Sequence, residues 1–228
     1  MTALGQISSI FQSIQGEGIY VGERQVFLRF VGCNLSCEYC DAGESAGKAF
    51  TADEVVKELD ILLKNPKLYH SISLTGGEPL LQVDFLKELL PKIKIKKYLE
   101  TNGTLPAHLS EIIELVDIVA MDIKLPSATG CASYFKEHEK FLETALFKDV
   151  FVKAVFTKNT LPKEIDDMCA LIERVESEIP LVLQPVTPRK GSKDKPTSEQ
   201  IFSFHTIAKK RLKNVRVIPQ AHKMMDLE

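Results

Sequence analysis

The chain's 228 residues predict an α/β fold: an open, partial (β/α) barrel whose parallel strands are joined by crossover helices. Three observations predict it. Short apolar or β-branched runs alternate with amphipathic helical stretches along the chain. Nearly every polar cluster falls just after one of those runs, which gathers them at one rim of a barrel-type sheet. The length falls short of the roughly 250 residues of a closed barrel, so an open one suits it better. No repeat, low-complexity tract or linker divides the sequence, and residues 1–228 read as a single domain.

The elements follow in order. Strands are expected at residues 7–11 and 26–31. Thr51-Ala52-Asp53-Glu54 is a capping box, opening a helix whose Val55, Val56, Leu59, Leu62 and Leu63 share a face. A strand at 71–75 precedes the apolar stripe of Phe85, Leu86, Leu89, Leu90 and Ile93. Strands at 97–100 and 118–121 flank a third stripe, Ile112, Ile113 and Val116. Strands at 150–156 and 181–184 flank a helix at 164–178, where Ile165, Met168, Cys169, Ile172 and Val175 keep helical spacing. That spacing makes Cys169 a small core residue. A last helix at 198–212 leads to a strand at 215–218. Residues 187–197, rich in Pro, Gly and Lys, read as a solvated loop, and Cys131 falls in another loop at 126–133.

Composition narrows the class. Hydrophobic residues at 44% and charged residues at 26% suit a soluble globular protein. A net charge of −2 gives no electrostatic footprint for nucleic acid or an acidic membrane. No apolar run approaches the roughly 20 residues that span a bilayer. Residues 1–6 lack the basic start and apolar centre of a signal peptide. Five cysteines, three of them clustered, argue for a reducing cytoplasm rather than a disulfide framework.

Those three, Cys33, Cys37 and Cys40, stand directly after a hydrophobic strand and are the expected metal ligands and catalytic centre. Four thiolates would close an iron–sulfur cluster; three leave one iron without a protein ligand, open to a small molecule. A zinc site would need a fourth Cys or His brought in by the fold. A disulfide would strand one thiol. The other rim motifs are Thr75-Gly76-Gly77-Glu78-Pro79, Glu100-Thr101-Asn102-Gly103, Asp122-Ile123-Lys124, Gln184-Pro185-Val186-Thr187 and Gln220-Ala221-His222-Lys223. Gly76 and Gly77 let backbone approach a ligand closely, or make an ordinary βα turn. Asn102, Asp122, Lys124, Ser127 and Gln184 suit ribose hydroxyls or a carboxylate, and each suits loop hydrogen bonding equally well.

The C-x3-C-x2-C spacing resembles the cluster motif of the radical S-adenosylmethionine (SAM) enzymes, and Thr75 to Pro79 resembles their glycine-rich motif. The runs Ser13-Ile14-Gln15-Gly16-Glu17-Gly18 and Phe27-Leu28-Arg29-Phe30-Val31-Gly32-Cys33-Asn34, with Gln220 to Lys223, resemble the 7-carboxy-7-deazaguanine synthases. The resemblance implies a 4Fe-4S cluster on Cys33, Cys37 and Cys40 that reduces SAM to a 5′-deoxyadenosyl radical. The radical takes hydrogen from C6 of 6-carboxy-5,6,7,8-tetrahydropterin. The ring contracts to 7-carboxy-7-deazaguanine with loss of ammonia, and SAM is regenerated. This step belongs to 7-deazapurine, queuosine-type biosynthesis.

The resemblance also implies site residues. Tyr39, Cys40, Asp41, Gly77, Glu78 and Gln184, Pro185, Val186 and Thr187 fall on SAM-binding segments. Ile14, Gln15, Gly16, Glu17, Thr75 and His222 fall on the substrate segments, Arg29 on the arginine that pairs with the substrate carboxylate, and Glu228 on a C-terminus folded into the pocket. A pterin small molecule, a reductant such as flavodoxin and a homodimer are implied as partners. After Cys-Asp most members carry a threonine that helps hold Mg2+; here Ala42 offers no oxygen. Two rivals remain at this point: a radical SAM activase that installs a glycyl radical on a partner enzyme, and a non-catalytic zinc module or electron carrier.

Overall fold

A computed structural model describes residues 2–40, 46–188, 195–225 and 227. Among the described residues nine strands form one sheet in the order β3-β1-β2-β4-β5-β6-β7-β8-β9. They are β1 (Gly5–Ile14), β2 (Arg24–Phe30), β3 (Lys48–Phe50), β4 (Ser71–Gly76), β5 (Lys97–Thr101), β6 (Ile118–Asp122), β7 (Asp149–Phe156), β8 (Leu181–Pro185) and β9 (Val215–Val217). From β2 to β9 every neighbour pairs parallel, in the expected α/β arrangement. Edge strands β3 and β9 do not meet, so the sheet is not closed into a barrel.

Two features correct the sequence reading. β1 pairs antiparallel with β2, because the connection between them is too short for a crossover; parallel strands need about a dozen residues or more. Gln15 N–H donates to the Glu23 carbonyl at 2.7 Å and Gly22 N–H to the Gln15 carbonyl at 2.8 Å, closing that connection. β3, antiparallel to β1, was not expected; three residues with Lys48 and Ala49 exposed carry no readable period.

Seven α-helices are described: α1 (Ala52–Leu62), α2 (Val83–Leu89), α3 (Pro106–Ile112), α4 (Pro126–Thr129), α5 (Phe135–Ala145), α6 (Pro162–Glu176) and α7 (Ser198–Lys209). The α1 capping box is present: Glu54 N–H donates to Thr51 Oγ1 at 3.3 Å, and Thr51 N–H to Glu54 Oε2 at 2.8 Å. Helices α4 and α5 were not anticipated. α5 buries His138, Phe141, Leu142 and Ala145, so a histidine occupies one of the positions where periodicity looks for an apolar residue. Cys169 is fully buried in α6, as expected.

Strand alternation divides the core. Leu28, Leu74, Leu99, Val119, Val152 and Leu183 belong to the large cluster that packs with the helices. Tyr98, Ile118, Ala120, Phe151 and Val182 form a second cluster with Ile19, Tyr20 and Ile218 against it. Parallel strands covered on both faces read as continuous apolar runs, which is why their positions were legible. Among the described residues, no helix is long and apolar enough to cross a membrane.

Candidate active site

β2 delivers the cysteines. It lies parallel to β4, with Arg29 opposite Thr75, and the chain then turns at Gly32, whose φ is 87°. The glycines after β4 serve this junction. A Cβ on Gly76 would lie 2.3 Å from the Phe30 carbonyl oxygen, and one on Gly77 would lie 1.8 Å from that of Gly32. Gly77 N–H donates to Phe30 O at 3.0 Å and Glu78 N–H to Gly32 O at 2.8 Å. The two glycines thus let the β4 loop clasp the base of the cysteine loop. Gly77 still lines the cavity beside it.

The Glu78 carboxylate is wholly buried and accepts from Leu80 N–H at 3.0 Å, Thr101 Oγ1 at 2.9 Å and Asn102 N–H at 2.8 Å. Burial raises its pKa in spite of these donors. It ties the β4 and β5 loops together and does not line the cavity.

Cys33 and Cys40 are exposed and Cys37 is half-buried; none of the three is in a disulfide. Cys40 N–H donates to the Cys37 carbonyl at 3.0 Å, closing a turn. Leu35 N–H points at Cys33 Sγ from 3.4 Å. Burial pushes the Cys37 thiol up to about 12, with the Cys131 thiol beside it adding to the shift. Among the described residues no three His, Cys, Asp or Glu side chains form a site for a single ion. A mononuclear zinc would need every sulfur within about 2.3 Å of one point. A cluster takes each thiolate on a different iron, and so accepts thiols spread along one loop.

All three cysteines line a cavity of about 920 Å³. An ion network crosses it. Gln220 Nε2 donates to Glu17 at 2.7 Å, Lys153 pairs with Glu17 and lies 3.3 Å from Asp122, and Lys124 lies 2.9 Å from Asp122 and 3.4 Å from the Tyr39 hydroxyl. Burial raises the Glu17 pKa, but Lys153 outweighs it and holds the carboxyl down at about 2. Burial likewise opposes the charge on Lys153 and Lys124, and their carboxylate neighbours outweigh it, raising both above an ordinary lysine. Asp122 Oδ1 and both amide atoms of Gln184 are buried without a hydrogen bond, although Gln184 lies beside Glu17. Buried polar atoms without partners call for a ligand or water.

The Radical SAM superfamily model matches residues 28–145. The chain is 38% identical to the 7-carboxy-7-deazaguanine synthase of Geobacter sulfurreducens, covering 96% of each, and 35% identical to that of Methanothermobacter thermautotrophicus, covering 97% of each. The chain belongs to the 7-carboxy-7-deazaguanine synthase family of radical SAM enzymes. The fold agrees. A crystal structure of QueE from Escherichia coli superposes with a TM-score of 0.62 at 19% identity, covering 96% of this chain and 95% of that one. A radical SAM methyltransferase from Sphaerobacter thermophilus gives 0.66 at 15% identity, covering 86% and 66%.

Membership in this family implies a 4Fe-4S cluster and SAM. The residues present fit both: three thiols on one loop, none in a disulfide, and near Cys37 the buried, unpartnered Oδ1 of Asp122, suited to the polar groups of SAM. Of the residues expected from the sequence, the cavity gathers Ile14, Gln15, Gly16, Glu17, Arg29, Cys33, Cys37, Tyr39, Cys40, Thr75, Gly77, Asn102, Asp122, Lys124, Gln184, Val186, Thr187 and His222. Glu78, Ser127 and Pro185 do not line it; Ser127 N–H instead donates to Glu164 at 3.1 Å. Asp41, Ala42 and Glu228 lie outside the described residues.

Also lining the cavity, Glu100 accepts from Gln15 Nε2 and Ser73 Oγ, each at 2.9 Å, and from Thr75 Oγ1 at 3.2 Å. The Arg29 guanidinium carbon lies 5.1 Å from the centre of the Phe11 ring. The C-terminal segment packs on the loop between β1 and β2: Ala221 N–H donates to Gly16 O at 2.8 Å, and a Cβ on Gly16 would lie 2.3 Å from His222 Nδ1. Glu100 and Lys153 were not assigned from the sequence. Lys153 had a signal, a lone charge inside Val150-Phe151-Val152-Lys153-Ala154-Val155-Phe156.

Proposed function

We propose that this chain converts 6-carboxy-5,6,7,8-tetrahydropterin to 7-carboxy-7-deazaguanine with loss of ammonia, in 7-deazapurine biosynthesis. One observation carries the reading: the three-cysteine loop and the Arg29 strand open into the same cavity. When bound, the cluster and SAM supply a carbon radical able to take hydrogen from C6 of the pterin. The chain's own groups hold the reactants. Asp122, Lys124, Tyr39 and Gln184 face the SAM side. Arg29 pairs with the substrate carboxylate, since a planar guanidinium matches a carboxylate in two-point contact. Glu100, held by Gln15, Ser73 and Thr75, offers its remaining lone pairs to ring N–H donors. Glu17 and His222 close the far wall. The test is anaerobic incubation of reconstituted protein with SAM, reductant and the carboxytetrahydropterin. Mass spectrometry should find the deazaguanine acid and free ammonia; SAM cleavage without that product would overturn the assignment.

The same reading has residues 1–228 acting as one domain, in the cytoplasm, as a homodimer supplied with electrons by a reductant such as flavodoxin. Arg29→Ala is expected to cut pterin turnover sharply while cluster content stays at the wild-type level. Losing one partner of a buried charged pair costs about 2–5 kcal/mol, roughly 30-fold or more in affinity. Unchanged KM and kcat would remove Arg29 from the role.

Mg2+ belongs to this proposal as well. With Ala42 in place of threonine, its coordination would rest on substrate oxygens and water, because Mg2+ demands near-octahedral oxygen ligands and keeps several waters. Activity titrated with Mg2+ against a chelator baseline should show a tighter response in Ala42→Thr than in wild type. Identical curves would show that position 42 does not govern the ion.

A further inference from the structure

Asn102 has every polar atom engaged. Its N–H donates to Glu78 at 2.8 Å, and its carbonyl accepts from His138 Nε2 at 3.0 Å. A carbonyl only accepts, so His138 carries its proton on Nε2. The side-chain Oδ1 accepts from Thr104 N–H at 3.0 Å and from Thr104 Oγ1 at 2.6 Å. A backbone N–H only donates, so the amide cannot be flipped. Its Nδ2 therefore faces the other way, toward Asn34 Oδ1 at 2.9 Å and Cys33 Sγ at 3.8 Å. Asn34 closes the ring by donating from its own Nδ2 to Thr104 Oγ1 at 2.8 Å. Glu78 and His138 are fully buried, and Asn102 is 6% exposed.

A loop lock alone would need only the ring. The second amide hydrogen is surplus to it, and the geometry spends it on sulfur. We propose that Asn102 donates a hydrogen bond to the Cys33 thiolate of the bound 4Fe-4S cluster and raises its reduction potential, with Thr104 and His138 as positioning residues. This deepens the reading given above, since it rests on Cys33 as a cluster ligand. Reduction adds an electron that is partly carried by the thiolate sulfurs, and a donor N–H stabilises that added charge; hydrogen bonds to sulfur are among the levers that set cluster potentials. Burial strengthens the effect by lowering the local dielectric. The Leu35 N–H is a backbone donor that no side-chain change removes, so Asn102 is the adjustable one of the two.

The test is a redox titration of the reconstituted cluster followed by electron paramagnetic resonance, without SAM or substrate. Asn102→Asp keeps the shape and the Thr104 bonds, removes the donor and places an acceptor beside the sulfur. At a fixed applied potential it should lower the ratio of reduced to oxidised cluster at least tenfold, a shift of 59 mV for one electron. Asn102→Ala should shift it in the same direction by less. Asn34→Ala breaks the ring but leaves the donor, and should stay close to wild type. Wild-type potentials in both Asn102 variants, at full iron and sulfide content, would overturn the proposal, as would equal shifts in Asn34→Ala and Asn102→Ala. Should the Asn102 variants fail to hold a cluster, wild-type and Asn34→Ala proteins labelled with 15N in asparagine side chains decide it. The reduced cluster must couple to one such nitrogen in both, and no coupling overturns the proposal. A wild-type protein that binds no iron would instead overturn Cys33 as a ligand, a result distinct from an unshifted potential.

Discussion

Alanine at Cys33, Cys37 or Cys40 is expected to reduce reconstituted iron and sulfide to a small fraction of wild type and SAM cleavage to background. The argument is one of ligand number. The connection between β2 and β3 offers three thiols, none in a disulfide, to the cavity. A 4Fe-4S cluster held by three thiolates already lacks one protein ligand, and a second bare iron exposes the cluster to solvent and loss. Cys169→Ala is the matched control, because that thiol is fully buried in α6 away from the cavity. It should cost stability through the small void left behind and leave iron content unchanged. Iron, acid-labile sulfide and the visible absorbance of the anaerobic proteins report the result. Wild-type iron and SAM cleavage in any of the three variants would overturn the ligand set.

The sequence made the strands and the cysteine loop legible for one physical reason: each depends on neighbours in the chain. Runs such as Val150 to Phe156 are apolar because parallel strands are covered on both faces, and C-x3-C-x2-C is a spacing within one loop. What escaped depends on partners far away in sequence. Gly76 and Gly77 read as a ligand cradle or a βα turn; they line the cavity, and what the sequence did not show is that they also pack against the Phe30 and Gly32 carbonyls. Glu78 read as a SAM ligand, yet its donors are Leu80, Thr101 and Asn102. α5 escaped because its buried face includes His138, which serves the Asn102 carbonyl. Charge pairing is the extreme case. Nothing local tells Glu17 that its partner lies at Lys153, or that Lys153 shares itself with Asp122.

Lys153→Met is expected to destabilise the protein by about 3–5 kcal/mol at pH 7, because removing one member of a buried ion pair strands the other. Methionine keeps the volume, so a cavity term contributes little. The group left without its cation is Glu17, whose side chain is 18% exposed; Asp122, 12% exposed, keeps Lys124 at 2.9 Å. The dependence on pH separates this cause from loose packing. In the wild type the Glu17 pKa moves from 4.5 unfolded to about 2 folded, so its contribution is complete above 4.5 and is lost as pH falls from there toward 2. Between pH 7 and 5 it adds no slope. Without Lys153 the largest remaining influence on Glu17 is burial, which raises its folded pKa. A group with a raised folded pKa binds protons more readily folded than unfolded, so the variant gains stability as pH falls through that value. The deficit measured by urea unfolding should therefore shrink between pH 7 and pH 5. Adding Glu17→Gln should recover part of it at pH 7 by removing a stranded charge. A deficit under about 1 kcal/mol, equal at both pH values, would mean that water and not Lys153 compensates the Glu17 carboxylate, and the pair would then carry no weight in the stability of the fold.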